Sequence, residues 1–240
     1  QRLSRGLGDV YKRQGYRDII LNDGYTIIPE FLDRADLKKV VDLERNTSPW
    51  KGLHKEFGWQ NEKIFDKQDY VHYWSVQVKK QTHWLQEKLH PIVSDIMQTN
   101  YKWFLVDFHT TNPGSDYILA HIDTPYQFRP WNHITELIAV QCLIAVDDFT
   151  HESGATRLIA GSHREQTLVE DIGSKELDDK LLAEGSDFVA PAGSVVIYHP
   201  RTIHSTMPNM SNKPRSALLL CAVRPDLIDS LVHYQPQYEE

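Results

Sequence analysis

PAGSVVIYHPRTIHSTMPNMSNKPRSALLL, residues 191–220, decides the fold. PAGS is a turn signal, with a proline to preset φ and a glycine that tolerates positive φ. The runs at 195–199, 203–207 and 216–223 are rich in β-branched, aromatic and aliphatic residues and are broken by Pro, Asn and Ser, so each reads as a short strand. The same texture extends upstream. Strand-like runs lie at 188–190 and 156–160. ELIAVQCLIAV, 136–146, is apolar on both faces and reads as a buried central strand. DYILAHID, 116–123, follows the turn NPGS, 112–115, which in turn follows the strand-like WFLVDF, 103–108. An acidic amphipathic helix at 175–184 interrupts the series.

The N-terminal part is different. Residues 25–28 are strand-like up to Pro29. Asp33 is a plausible N-cap, with Leu37, Val40, Val41 and Glu44 following at helical spacing. Residues 49–70 carry Trp, Gly, Lys and Asp without a period and read as a loop. Trp84, Leu85, Leu89, Val93 and Ile96 share one helical face within 80–97, where Pro91 is expected to kink or divide the helix. The pattern is an all-β core with added helices (α+β), the helices packing from the N-terminal side.

A chain of 240 residues with this texture suits one domain, here residues 15–240. Residues 1–14, QRLSRGLGDVYKRQ, have neither an apolar core for a signal peptide nor a helical period; DVYKRQ resembles a translated library adapter, so 1–14 is read as a non-native leader. The net charge of −7 argues against a nucleic-acid surface. No apolar run approaches the roughly 20 residues of a membrane span. Cys142 and Cys221 each sit in an apolar run, as buried free thiols would, which fits a reducing, cytoplasmic setting.

HIDTPYQ, 121–127, carries the chemistry. In a strand, i and i+2 share a face, so His121 and Asp123 can reach one ion. The pair alone is a weak signal, since a surface strand shows such residues by chance. A later histidine strengthens it, and His204 is the choice: with it the set is two histidines and one carboxylate, the facial triad of non-haem Fe(II) oxygenases. A hairpin of 203–207 with 216–223 would put His204 and Arg215 on neighbouring strands facing one cavity. Arg215 would then stand about one small dicarboxylate from the metal.

Three segments together resemble the phytanoyl-CoA dioxygenase-like family of Fe(II)/2-oxoglutarate-dependent oxygenases. They are DGYTIIPEFLDRADLKKV, HIDTPYQ with IAVDDFTHESGATRLIAGSHR (144–164), and the stretch quoted first. The likeness covers roughly 16–225. It implies a double-stranded β-helix (jelly-roll, cupin-like) fold and oxidation of a small-molecule or lipid-like substrate coupled to decarboxylation of 2-oxoglutarate, with O₂ as oxidant and succinate and CO₂ released. Carried over by position, His121, Asp123 and His204 match the iron ligands, and Arg215 matches the partner of the far carboxylate of 2-oxoglutarate. Thr206 matches a hydroxyl that helps hold that carboxylate, and Gln141 is a further candidate for the co-substrate pocket. Halogenating relatives carry Gly or Ala where this chain has Asp123, so the resemblance implies hydroxylation or a related two-electron oxidation and not halogenation.

Other polar residues have simpler readings. His163 reads as structural or surface, His199 as a strand-end packing residue, and His109, His133 and His151 as solvated residues beside turns. Asp147 and Asp148 cap a turn, and Gly154 permits a positive φ without a chemical role. Arg157 and Arg164 could hold acidic substrate groups, with surface positions the default. Trp50, Trp59, Trp74 and Trp131 could line a substrate mouth, with packing in the core or a lid the alternative. Ser162 within GSH lacks the flanks of a nucleophile elbow. The rival readings are a cupin-like Zn or Mn protein without oxygenase function and a metal-free jelly roll. Arg215 counts against the first, and the triad against the second.

Overall fold

The computed structural model describes residues 15–47, 70–74, 76–128 and 131–234. The expected leader at 1–14, nearly all of the expected loop at 49–70, with Trp50 and Trp59, and the Trp74 side chain lie outside the described residues.

Two antiparallel sheets face each other. The larger runs β1 (Tyr25–Ile28), β7 (Val195–Tyr198), β4 (Ala139–Ala145), β9 (Arg215–Val223), β3 (Lys102–Thr111) and β2 (Tyr70–Trp74); the smaller runs β6 (Ser186–Asp187), β5 (Thr156–Leu158) and β8 (His204–Thr206). β4 is buried at every residue, as its two-sided apolar sequence requires. Its alternation divides the core. Ala139, Leu143 and Ala145 join Leu219 and Cys221 of β9 between the sheets. Val140, Cys142 and Ile144 join Leu218 and Leu220 on the outer face. Helix α1 (Tyr16–Asp23) covers that outer face through Ile20 and α4 (His83–Met97), which follows the short α3 (Val76–Gln81), through Leu85, Leu89, Val93 and Ile96, while α2 (Arg34–Asn46) adds Val40. This is the jelly-roll core with N-terminal helices outside that the sequence implies.

Local signals are realised residue by residue. Asp33 caps α2 by accepting from the Asp36 amide at 2.9 Å, and Ser174 caps α5 (Lys175–Glu184) by accepting from Leu177 at 3.2 Å. Cys142 and Cys221 are both buried and free, and they point to opposite faces of the sheet, so no bridge can form between them.

Three expectations need correction. The 203–207 and 216–223 strands are not a hairpin: β8 pairs with β5 in the small sheet, whereas β9 lies between β4 and β3 in the large one. Their faces meet across the interior instead of side by side. Pro91 does not divide α4, which is continuous from His83 to Met97 after a break at Thr82. Its ring is exposed, so water can meet the carbonyl it orphans while the apolar face stays packed. The 116–123 run is not a full strand. It touches β8 at Ile118 and His121, but the Ala120 amide donates to the Asp178 carboxylate of α5 at 2.7 Å, and the Ala120 carbonyl accepts from Gly173.

Candidate metal centre and co-substrate cavity

His121 and His204 are tied together by reciprocal backbone hydrogen bonds of 3.1 and 3.0 Å, which set their rings 4.4 Å apart. Asp123 follows at the start of a turn, its amide donating to the Pro200 carbonyl at 2.7 Å. The result is a compact triad. Asp123 lies 3.4 Å from His204 Nε2 through Oδ2 and 3.7 Å from His121 Nε2 through Oδ1, and one donor atom from each residue lies within 4.8 Å of the others. Among the described residues no other group of three His, Cys, Asp or Glu meets that criterion.

The backbone aims the rings. His121 Nδ1 hydrogen-bonds the Leu119 carbonyl at 2.8 Å, and His204 Nδ1 the Thr202 carbonyl at 2.9 Å. Each carbonyl takes the Nδ1 proton, which leaves Nε2 as the lone-pair donor of a neutral imidazole. Burial and the neighbouring His204 lower the His121 pKa to about 4, against the pull of Asp123. Burial alone would raise Asp123, but the two imidazoles and the Tyr198 hydroxyl outweigh it and hold the carboxyl well below its usual range. Burial opposes charge on His204 too, and there Asp123 prevails and raises the pKa. Two nitrogen donors and one ionised carboxylate, converging in a partly shielded site, fit a divalent transition ion.

Tyr198 was not singled out by sequence. It ends β7, and its hydroxyl donates to Asp123 Oδ2 at 2.6 Å, fixing the carboxylate's rotation. The period-2 pattern put its side chain on one face of a strand, but the contact needs Asp123 to arrive from 75 residues away.

The co-substrate candidates come from both sheets. Arg215 opens β9 opposite Thr111 and lies on the interior side with Ala217, Leu219 and Cys221. It is buried, its guanidinium 4.4 Å from the Phe149 ring centroid and donating to the Gly154 carbonyl. Thr206 ends β8, two residues after His204 on the same face, paired with Thr156. Residues 154–156 therefore bring Arg215 and Thr206 to one end of the cavity. Gly154 has the expected positive φ (+76°), but it has a further role, because its carbonyl receives Arg215. Gln141 pairs in register with Tyr198 and Cys221, so it also faces inward; it is buried, and its Oε1 has no hydrogen-bond partner. A buried amide oxygen without a donor suits a pocket whose ligand brings one.

Among the described residues, most of the other polar side chains lie as their simpler readings expect. His163 and His199 are buried, with ring centroids 5.2 Å apart and the rings tilted by 37°, while His133 and His151 are exposed. Arg157 pairs with Asp187 at 2.6 Å, Arg164 donates to the Asn22 carbonyl, and Trp131 is buried in the interior cluster. Asp147 accepts from the Ser216 amide and Asp148 from the Ala192 amide, both at 2.8 Å. His109, expected to be solvated near a turn, instead lies within β3 and hydrogen-bonds Asp107 at 3.2 Å.

The phytanoyl-CoA dioxygenase (PhyH) family pattern matches residues 20–217. An iron/alpha-ketoglutarate-dependent dioxygenase, ausO of Aspergillus calidoustus, is 33% identical over 123 residues, 47% of this chain; the match spans 38% of that relative's length. Among solved structures, the alpha-ketoglutarate-dependent epimerase SnoN from nogalamycin biosynthesis superposes with a TM-score of 0.69 at 15% identity, covering 90% of this chain and 84% of SnoN. HygX from Streptomyces hygroscopicus, with nickel, 2-oxoglutarate and hygromycin B bound, gives 0.64 at 12%, covering 87% and 86%. These two share the fold.

Proposed function

Since the chain belongs to the phytanoyl-CoA dioxygenase family, we propose that it is an Fe(II)- and 2-oxoglutarate-dependent dioxygenase hydroxylating a small molecule, with residues 15–240 as its single catalytic domain. The observation that carries this is the convergence of His121, Asp123 and His204 on one point, with Arg215 buried at the end of the same interior. In this reading Nε2 of both histidines and one oxygen of Asp123 would hold the metal, and a three-ligand set of this kind would leave it open to the keto acid and O₂. Fe(II) bound there would supply the redox chemistry that couples oxidative decarboxylation of 2-oxoglutarate to oxidation of a substrate C–H bond. Arg215 offers a planar fork to the far carboxylate and Thr206 a hydroxyl, a better match for a carboxylate than a lysine would be. Gln141 faces the same interior, where its amide N–H could donate to the keto acid; the unpartnered Oε1 would need a donor that the keto acid does not bring.

Asp123 keeps a carboxylate among the ligands, which favours oxygenation over halide transfer. The curated relative is named an iron/alpha-ketoglutarate-dependent dioxygenase, and the HygX structure holds 2-oxoglutarate and a small-molecule ligand, which supports the same class here. A Zn or Mn cupin without oxygenase chemistry has no need of Arg215. No helix among the described residues is long and apolar enough to cross a membrane; the two buried free thiols support a cytoplasmic setting.

Anaerobic Fe(II) and 2-oxoglutarate added to the protein should give the weak visible charge-transfer band of a chelated keto acid. A wild-type protein that shows no such band sinks this reading.

A further inference from the structure

We propose that Asp178 of α5 is a positioning residue for the metal centre: its carboxylate fixes the peptide group between Leu119 and Ala120, and that peptide fixes the His121 ring. The proposal rests on the oxygenase reading above and gives the helix inserted between β5 and β6 a part in it.

One peptide group carries both hydrogen bonds. Its carbonyl, from Leu119, accepts from His121 Nδ1 at 2.8 Å, and its N–H, from Ala120, donates to Asp178 Oδ1 at 2.7 Å. In a trans peptide the C=O and N–H point in opposite directions and can only turn together. Holding the N–H therefore holds the carbonyl, and the carbonyl holds the ring with Nε2 turned to the triad.

The strand needs this support from outside. Residues 116–121 meet β8 along one edge only, through Ile118 and His121. Both backbone groups of Ala120 go to the other side, where the N–H meets Asp178 and the carbonyl accepts from the Gly173 amide at 3.2 Å. Leu177 and Leu181 seat α5 in the interior cluster and so set where Asp178 stands. Ala120 and Asp178 are both buried. Without the carboxylate the Ala120 N–H would be an unpaired donor away from water, which is costly. Turning the peptide to relieve it would carry the Leu119 carbonyl away from His121.

The other histidine ligand is held in the same way by a hydroxyl. His204 Nδ1 donates to the Thr202 carbonyl at 2.9 Å, and the N–H of that peptide, from Ile203, donates to Ser162 Oγ at 2.9 Å. Ser162 is fully buried and donates onward to the Ile159 carbonyl at 2.8 Å. Each ring thus takes its orientation from the peptide two residues before it, and a side chain from a distant segment secures each peptide. Helix packing alone does not explain why both side chains fall on the two peptides that aim the ligands. Asp178 acts on His121, and Ser162, from the GSH triplet, on His204.

Co(II) added to the full-length protein provides the test. Calorimetric titration should show binding about tenfold weaker in Asp178→Ala, the usual effect of losing an outer-shell partner. Asp178→Asn, which keeps an acceptor oxygen, should recover to within about threefold of wild type. Leu181→Ala loosens the same helix without touching the peptide; it should lower Tm and leave Co(II) affinity within about twofold. Proton NMR of the Co(II) protein reads the two ligands separately, because their Nδ1–H protons give paramagnetically shifted, exchangeable signals. Asp178→Asn should move one of these signals and Ser162→Ala the other, and this comparison carries the test if Asp178→Ala does not fold. Wild-type affinity in Asp178→Ala, an asparagine variant no better than the alanine one, or an equal loss in Leu181→Ala overturns the proposal. So do Asp178 and Ser162 variants that move the same signal or neither. Failure of the oxygenase reading is distinguishable: wild type would then lack the charge-transfer band, whereas failure of this proposal alone leaves the band and wild-type Co(II) binding intact.

Discussion

Replacing Arg215 with alanine isolates the co-substrate anchor from the metal. The guanidinium is buried, lies 4.4 Å from the Phe149 ring centroid and donates to the Gly154 carbonyl. Without it, a carboxylate arriving at this end of the cavity is desolvated with no cation to meet it. Removing one partner of a buried charge pair costs about 3–5 kcal/mol, and about 1.4 kcal/mol is a factor of ten, so the 2-oxoglutarate KM should rise about 100-fold or more. Arg215→Lys restores the charge but not the two-pronged fork, and should fall between. Stability should move far less. The lost contact with the Phe149 ring is worth about 0.5–2 kcal/mol, a fall of a few degrees in Tm. Succinate formation against 2-oxoglutarate concentration gives the KM, and anaerobic titration of the charge-transfer band gives binding without turnover. An alanine variant with a 2-oxoglutarate KM within threefold of wild type would remove Arg215 from the co-substrate site.

Three further outcomes are expected. Tyr198→Phe frees Asp123 to rotate and should weaken Co(II) binding about 10-fold or more, the usual effect of losing an outer-shell hydrogen bond; unchanged affinity by calorimetric titration would show that the 2.6 Å contact does not position the ligand. Gly154→Ala drives a Cβ into the Met207 carbonyl at φ +76°, so the turn must shift. It should cost about 2 kcal/mol or more in denaturant unfolding and raise the 2-oxoglutarate KM as the Arg215 acceptor moves; a loss below about 0.5 kcal/mol would mean the loop relaxes freely. Burial holds both Cys142 and Cys221 thiols above their ordinary pKa, so neither should react with a chromogenic disulfide reagent until the protein unfolds. Rapid labelling of either in the native protein contradicts the packing.

Much of the local structure was legible in the sequence because its signals are local. Asp33 and Ser174 cap helices through amides three residues on, and the spacing of Leu85, Leu89, Val93 and Ile96 alone defines a buried helix face. The HxD spacing put His121 and Asp123 within reach of one point without reference to the rest of the chain. His109 shows where this reasoning fails. A polar–apolar alternation ordinarily means that the polar side faces water. In β3 the rule inverts: Val106 and Phe108 face outward beneath the helices, and Asp107 and His109 face the interior. Nothing in the strand itself says which face is covered.

By itself the sequence determined most of the elements, the alternation within them and the residue types of the site, since propensity, capping and periodicity act over a few residues. Only the tertiary structure decided which strands pair. A period of two states a residue's face but not its neighbour, so β8 and β9 looked like a hairpin and proved to lie in opposite sheets. That same long-range pairing brings Tyr198 to Asp123 and Gly154 to Arg215, contacts between residues that no short-range signal connects.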